Sequence, residues 1–224
     1  MDNMTLWLVC AGVPLLFGLF AQMSVKRTFK KYSEVRPANG MSGAQAAAAV
    51  LQSSGLPGLK INPIDGHLSD HYDPRNKTLN LSADVGQASS VAALGVAAHE
   101  AGHAIQDARG YWPMKVRQTL VPAATIGESV WIFPVLIGFF FSMTGLVTIG
   151  LVFFAAVVLF QLVTLPVEFD ASKRALQSLE SQGLLAAGEI DGARAVLNAA
   201  ALTYVAGFVA SLGQLLYFFI ASQD

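Results

Sequence analysis

The sequence predicts a mainly α-helical polytopic membrane protein, with about four transmembrane helices and a small strand-containing polar region. Hydrophobic residues make up 54% of the 224 and charged residues only 13%, against roughly a quarter charged in a soluble globular domain. The apolar residues also gather into uncharged runs close to the 20 or so residues that a helix needs to cross a bilayer. The net charge of −1, from 14 basic and 15 acidic side chains, gives no bulk attraction for phosphate backbones. Nucleic acid is therefore not an expected partner, and neither is a nucleotide. Cys10 is the single cysteine, which excludes a disulfide within the chain.

The first run, 4–23, carries no charge. A secretory signal would place its positive charge before the apolar core, but here Asp2 precedes it and Lys26, Arg27, Lys30 and Lys31 follow. An uncleaved helix is expected, with the following chain in the cytoplasm. Residues 24–118 form a polar region. From Thr119 to Val167 the only charge is Glu128, which predicts a hairpin of spans at 119–142 and 146–166 reversing near Ser142, Thr144 and Gly145. In lipid, Glu128 would cost about 2.5–3.5 kcal/mol at the helix centre, so it should face protein or the interface. Residues 167–194 return to polar character, and 195–221 form a last uncharged run. Its small residues, among them Ala206, Ala210 and Gly213, suit close helix packing. All fourteen Lys and Arg fall in two segments, eleven between Lys26 and Arg117 and three at Lys173, Arg174 and Arg194. Four passes with an external N-terminus place both segments on the cytoplasmic side of the cell membrane.

Within 24–118, Met41 to Ser54 reads as an alanine-rich helix stopped by Gly55 and Pro57-Gly58. Lys60–Ile64 and Thr78–Leu81 alternate like short strands, with a turn-rich stretch from Asp65 to Pro74 between them. A further helix opens near Ser89-Ser90 and ends by Gly110. It contains His99-Glu100-Ala101-Gly102-His103. Residues four apart lie one turn apart on one helix face, so both imidazoles can bind one metal ion while Glu100 projects toward a metal-bound water. This is the zincin arrangement. Zinc lowers the pKa of its water to about 7, and the glutamate acts as general base in peptide hydrolysis.

A catalytic zinc needs a third protein ligand and an open position. The candidates are His67, His71, Asp70, Asp107, Glu128, Glu168 and Asp170. Glu168 is the best placed, because it follows the third span on the same side as the His99 helix. Pro166 suits the first turn of a new helix that would project Glu168; a carboxylate favoured by that helix's dipole is the structural alternative. His71 or Tyr72 is a candidate hydrogen-bond donor to the oxyanion, though Asp70–Pro74 also suits an Asx-Pro turn. Tyr204 is a weaker oxyanion candidate that also suits an interfacial aromatic.

The blocks Asp70–Pro74, Ser90–Gln106, Leu165–Ser172 and Ala199–Ala206 resemble the YugP-like neutral zinc metallopeptidases of bacterial membranes, over nearly the whole chain. More distantly the chain is similar to the HtpX-like and CAAX-prenyl membrane proteases, whose third zinc ligand is a glutamate on a later helix. The resemblance implies one zinc per chain on His99, His103 and Glu168, with Glu100 as base and a protein or peptide as substrate. Those relatives usually carry an aspartate four residues after the glutamate, where this chain has Ser172. Asp170 and Asp107 are both candidates for the missing carboxylate. Two rival expectations are an intramembrane site-2-type protease, with its motif inside a span, and a membrane scaffold whose zinc is structural, closed by His67 or His71 as fourth ligand.

Overall fold

The computed structural model describes residues 3–223. Its elements run in the order α1 (Asn3–Trp7), a π-helical turn (Leu8–Gly12), α2 (Val13–Ser33), α3 (Gly43–Ser53), β1 (Lys60–Ile64), β2 (His71–Asp73), β3 (Thr78–Ser82), α4 (Ala83–Gly86), α5 (Val91–Ala108), α6 (Trp112–Val130), α7 (Ile132–Phe140), α8 (Thr144–Ser181) and α9 (Ala187–Ala221). Four helical stretches are long and apolar enough to cross a membrane: Met4–Ser33, Trp112–Phe140, Thr144–Ser181 and Ala187–Ala221. The described chain divides into two compact units. One holds residues 3–22, 112–166 and 202–223, the other residues 23–111 and 167–201.

The first unit is a bundle of apolar helices whose departures from regularity follow its prolines. Pro14 has no N–H to donate to the carbonyl of Cys10, four residues back, and the π-helical turn lies there. That carbonyl packs against Gly213, where an added Cβ would sit 2.2 Å from the oxygen. Pro134 likewise leaves the Val130 carbonyl without its helical donor, and the stretch expected as one arm divides at Trp131 into α6 and α7. The Trp131 ring packs on Phe154 at 4.3 Å between centroids and edge-on to Phe218 at 5.6 Å. Val135, Val147, Leu151, Phe154, Val157 and Val158 complete this buried cluster. The reversal into α8 falls one or two residues earlier than expected: Ser142 takes a left-handed φ of 56°, and the Met143 N–H donates back to the Gly138 carbonyl at 2.7 Å. Glu128 is exposed on α6 rather than held against protein. Large apolar side chains such as Leu16, Phe133, Phe140 and Val152 are exposed too, as suits a bundle solvated by lipid.

The second unit is built around α5. A three-stranded sheet in the order β1-β3-β2 carries β1 parallel and β2 antiparallel to β3. The turn-rich stretch expected between two strands thus contributes a third. Asp73 caps the turn that follows it, accepting from the Arg75 N–H at 2.8 Å, and Asp70 accepts from the Ser82 N–H at 2.7 Å. The alanine-rich helix α3 starts with a capping box between Ser42 and Gln45. Helix α5 is capped by Ser90, whose Oγ accepts from the Ala93 N–H, and it ends where Gly110 takes a φ of 63° and Tyr111 N–H returns to the Gln106 carbonyl.

One expectation is corrected here. Pro166 does not open a new helix; α8 runs through it from Thr144 to Ser181. An interior proline costs about 3 kcal/mol, but beyond it Val167, Ala171, Ala175 and Leu179 recur every fourth residue and are fully buried. Burying that stripe keeps the helix intact across the lost hydrogen bond. The segment expected as separate cytoplasmic helices, 167–194, is therefore the end of α8, a turn and the start of α9.

In the first unit, a Cβ at Gly150 would lie 2.5 Å from Val135 Cγ2 and 2.7 Å from the Trp131 carbonyl oxygen, whereas one at Gly145 would meet nothing within 4 Å. Gly150→Leu is expected to destabilise the detergent-solubilised protein by about 1–3 kcal/mol, seen as a lowered midpoint in thermal unfolding followed by tryptophan fluorescence. Gly145→Leu should leave that midpoint in place.

Candidate metal centre

Helix α5 can gather a site because its own side chains are small. Ala92, Ala93, Ala97, Ala98 and Ala101 are fully buried, so the neighbouring elements approach its backbone closely. Against α3, a Cβ on Gly43 would fall 2.9 Å from the Ala93 carbonyl oxygen; against α9, one on Gly95 would meet the Ala193 Cβ at 3.4 Å. The tightest approach to the motif itself is at Gly102, where an added Cβ would sit 2.6 Å from the Ala171 carbonyl oxygen of α8. No side chain larger than hydrogen fits there. That approach brings the His99–His103 face of α5 against the turn of α8 that carries Glu168.

The three side chains converge. Glu168 Oε2 lies 3.2 Å from His99 Nε2 and 3.5 Å from His103 Nε2, and the imidazole rings meet edge to face at 4.7 Å. One ligand atom from each residue lies within 4.8 Å of the others, a spacing at which the three could hold a metal ion. Among the described residues no further His, Cys, Asp or Glu joins them. Glu168 is 2% exposed; a carboxylate so deeply buried needs cationic or metal partners.

The groups behind the histidines orient both rings and set the tautomer of one. Gln106 is fully buried, and its amide nitrogen donates to the Val167 carbonyl at 2.8 Å and to Asp170 Oδ2 at 2.8 Å. Both partners only accept, so the Gln106 oxygen must face His103 Nδ1, 3.0 Å away. His103 therefore carries its proton on Nδ1 and turns the Nε2 lone pair toward Glu168. His99 Nδ1 lies 3.1 Å from Ser172 Oγ, a hydroxyl that orients the ring by either donating or accepting, and its Nε2 faces Glu168 Oε2 at 3.2 Å. The serine that stands where relatives carry an aspartate thus itself touches the imidazole. Asp170 supports His103 only through Gln106, and is held in turn by Arg174 Nε at 2.5 Å.

Glu100, next to His99, accepts a hydrogen bond from the Tyr72 backbone N–H of β2 at 3.1 Å. Burial raises its carboxyl above the usual range, with the adjacent imidazoles offsetting part of the effect. Neither carboxylate weighed for the Ser172 role plays it: Asp107 instead accepts from the Tyr72 hydroxyl at 2.7 Å and pairs with Lys77. That engagement leaves the Tyr72 hydroxyl occupied as an oxyanion donor. His71 is exposed and bonded to the Ser69 carbonyl and Asn80. His67 pairs with Asp84, and Asp70 is taken up by Ser82. Glu128 and Tyr204 belong to the first unit. Sequence reasoning missed the close approach at Gly102 and the contact of Gln106, and noted Ser172 only as a departure from the expected aspartate; the signals of Gln106 and Ser172 are positional, three residues after His103 and four after Glu168, on the same helix faces.

A family model described as "Putative neutral zinc metallopeptidase" matches residues 7–223. The chain belongs to this family. It is also 40% identical over 213 residues, covering 95% of this chain and 94% of the relative, to the Bacillus subtilis (strain 168) protein named "Putative membrane protease YugP". No solved structure matches the chain. For this family member, the relative's name and the four apolar helices together indicate a multi-pass membrane protein.

Because Gly102 sets the distance between α5 and α8, Gly102→Val should abolish zinc retention in purified protein, measured by elemental analysis. Ser172→Ala, which removes one hydrogen bond without changing the helix approach, should weaken zinc binding by about 10-fold in a chelator competition titration.

Proposed function

We propose that this chain is a zinc metalloendopeptidase embedded in the cell membrane, cleaving peptide bonds in membrane or membrane-adjacent proteins. The observation that carries this reading is the convergence of two imidazole Nε2 atoms and a buried carboxylate beside Glu100. The donor set suits zinc: two neutral imidazoles with their Nδ1 atoms already bonded, and one carboxylate. Held by His99, His103 and Glu168, one zinc per chain would acidify water and polarise the scissile carbonyl. Glu100 receives the proton of the attacking water as the carbon–oxygen bond forms. It then returns that proton to the leaving amine as the carbon–nitrogen bond breaks. Burial favours this cycle, because a carboxylate with a raised pKa is the stronger base toward the attacking water and holds the proton until the amine leaves.

The two rival readings each lose support from a specific observation. A site-2-type enzyme would carry its motif in a spanning helix, but α5 is not one of the four candidate spans and is walled by α3 and the sheet. A structural zinc would be closed by a fourth ligand, and the residues expected to close it, His67 and His71, are bonded elsewhere. The distribution of basic residues supports a site on the cytoplasmic side.

Glu168→Ala should lose the zinc, and full retention of metal by that variant would remove Glu168 from the ligand set. Glu100→Gln should keep the zinc and cut peptide hydrolysis by at least about 100-fold. In cells, uncut substrates should accumulate with the Glu100→Gln form, as read from the membrane proteome against wild type.

A further inference from the structure

The strand that touches Glu100 is short and lies at the sheet edge. β2 contributes three residues, paired on one side only, with β3. So small an edge element does not fix its own distance from a helix. Tyr72 makes two contacts that do. Its backbone N–H donates to Glu100 Oε2 at 3.1 Å and its hydroxyl donates to Asp107 Oδ2 at 2.7 Å. Glu100 and Asp107 stand seven residues apart on α5, two turns along one face and about 10 Å along the axis. One residue of β2 is thus bonded at both ends to carboxylates of the helix that carries the histidine pair.

The outer end of this clamp is well secured. Tyr72 is 8% exposed, and burial together with the Asp107 carboxylate holds its phenol above the usual range, so it remains a donor. Lys77, the last residue of the turn that Asp73 caps, pairs with Asp107 from the sheet side. Ala104, between the two carboxylates on the same face, is small and buried, which lets the tyrosine lie along the helix.

We propose that Tyr72 and Asp107 are positioning residues for Glu100: the Asp107–Tyr72 hydroxyl bond fixes β2 so that the Tyr72 N–H holds the Glu100 carboxylate in one orientation. The consequence for catalysis rests on the reading of Glu100 as general base; the clamp itself does not. A carboxylate held by one donor keeps its second oxygen directed at the water, and freeing it lets it sample unproductive rotamers.

The test uses the full chain in detergent. Hydrogen exchange resolved to the Tyr72 amide should quicken by about 10-fold in Tyr72→Phe and in Asp107→Ala, and stay slow in Asp107→Asn, which keeps an acceptor for the phenol. The double variant Tyr72→Phe/Asp107→Ala should exchange no faster than the faster single variant, because both remove the same bond. Zinc content should match wild type throughout. With denatured casein as substrate, kcat should fall by about the same factor at unchanged KM in the first two variants, and recover in Asp107→Asn. An unchanged Tyr72 amide in Tyr72→Phe, or additive effects in the double variant, overturns the clamp. Full kcat in Tyr72→Phe alongside an inactive Glu100→Gln overturns its role in positioning the base. An active Glu100→Gln overturns the base reading instead, and the exchange data still decide the clamp.

Discussion

The close approach of α5 to α8 at Gly102 and Ala171 is the constraint on which the rest of the site depends. Two helices normally pack with their axes 8–10 Å apart, and here glycine against a backbone carbonyl places them at the tight end. Across that approach the side chains of the two helices meet, with Glu168 Oε2 within 3.5 Å of both Nε2 atoms. The stripe Val167, Ala171, Ala175 and Leu179 holds α8 in the same position from below, fully buried. A larger residue at either face would separate the ligands before it changed any of them.

That interface also explains why the histidines are ordered. Gln106 bridges the two helices, donating twice to α8 and accepting once from His103. Its buried amide has no acceptor-side freedom, so the tautomer of His103 is settled by geometry rather than by the metal. Ser172 orients His99 with a neutral hydroxyl, which can donate or accept and so leaves the tautomer open. A carboxylate there would raise the basicity of the imidazole further; a hydroxyl orients it with less effect on its charge. The centre is thus supported asymmetrically, through an amide and an Asp170–Arg174 pair on one side and a single serine on the other.

Much of this was legible in the chain itself because it depends on local periodicity. The apolar runs announced four helices able to span a membrane, the i, i+4 histidines announced one face of α5, and the alternation in Lys60–Ile64 and Thr78–Leu81 announced two strands. What failed to show was set by partners distant in sequence. His71–Asp73 reads as a turn until β3 supplies its hydrogen bonds. Pro166 reads as a helix start until the buried stripe beyond it outweighs the missing donor. Pro134 is a recognisable breaker, yet the hydropathy of 119–142 is uniform enough to hide the division at Trp131.

The sequence by itself determined the membrane-spanning character of the protein, the sidedness its basic residues favour, and the helix that carries the candidate metal ligands. Each of these follows from composition or from spacing within one segment. Only the tertiary structure brings the expected carboxylate, Glu168, against the histidines and decides what each of the others does. Glu168, Asp170 and Asp107 are the same kind of group; position along the chain favoured Glu168, but not the roles of the other two. They are separated by where two helices cross: Glu168 faces the imidazoles, Asp170 faces Gln106, and Asp107, one turn past His103, faces the sheet.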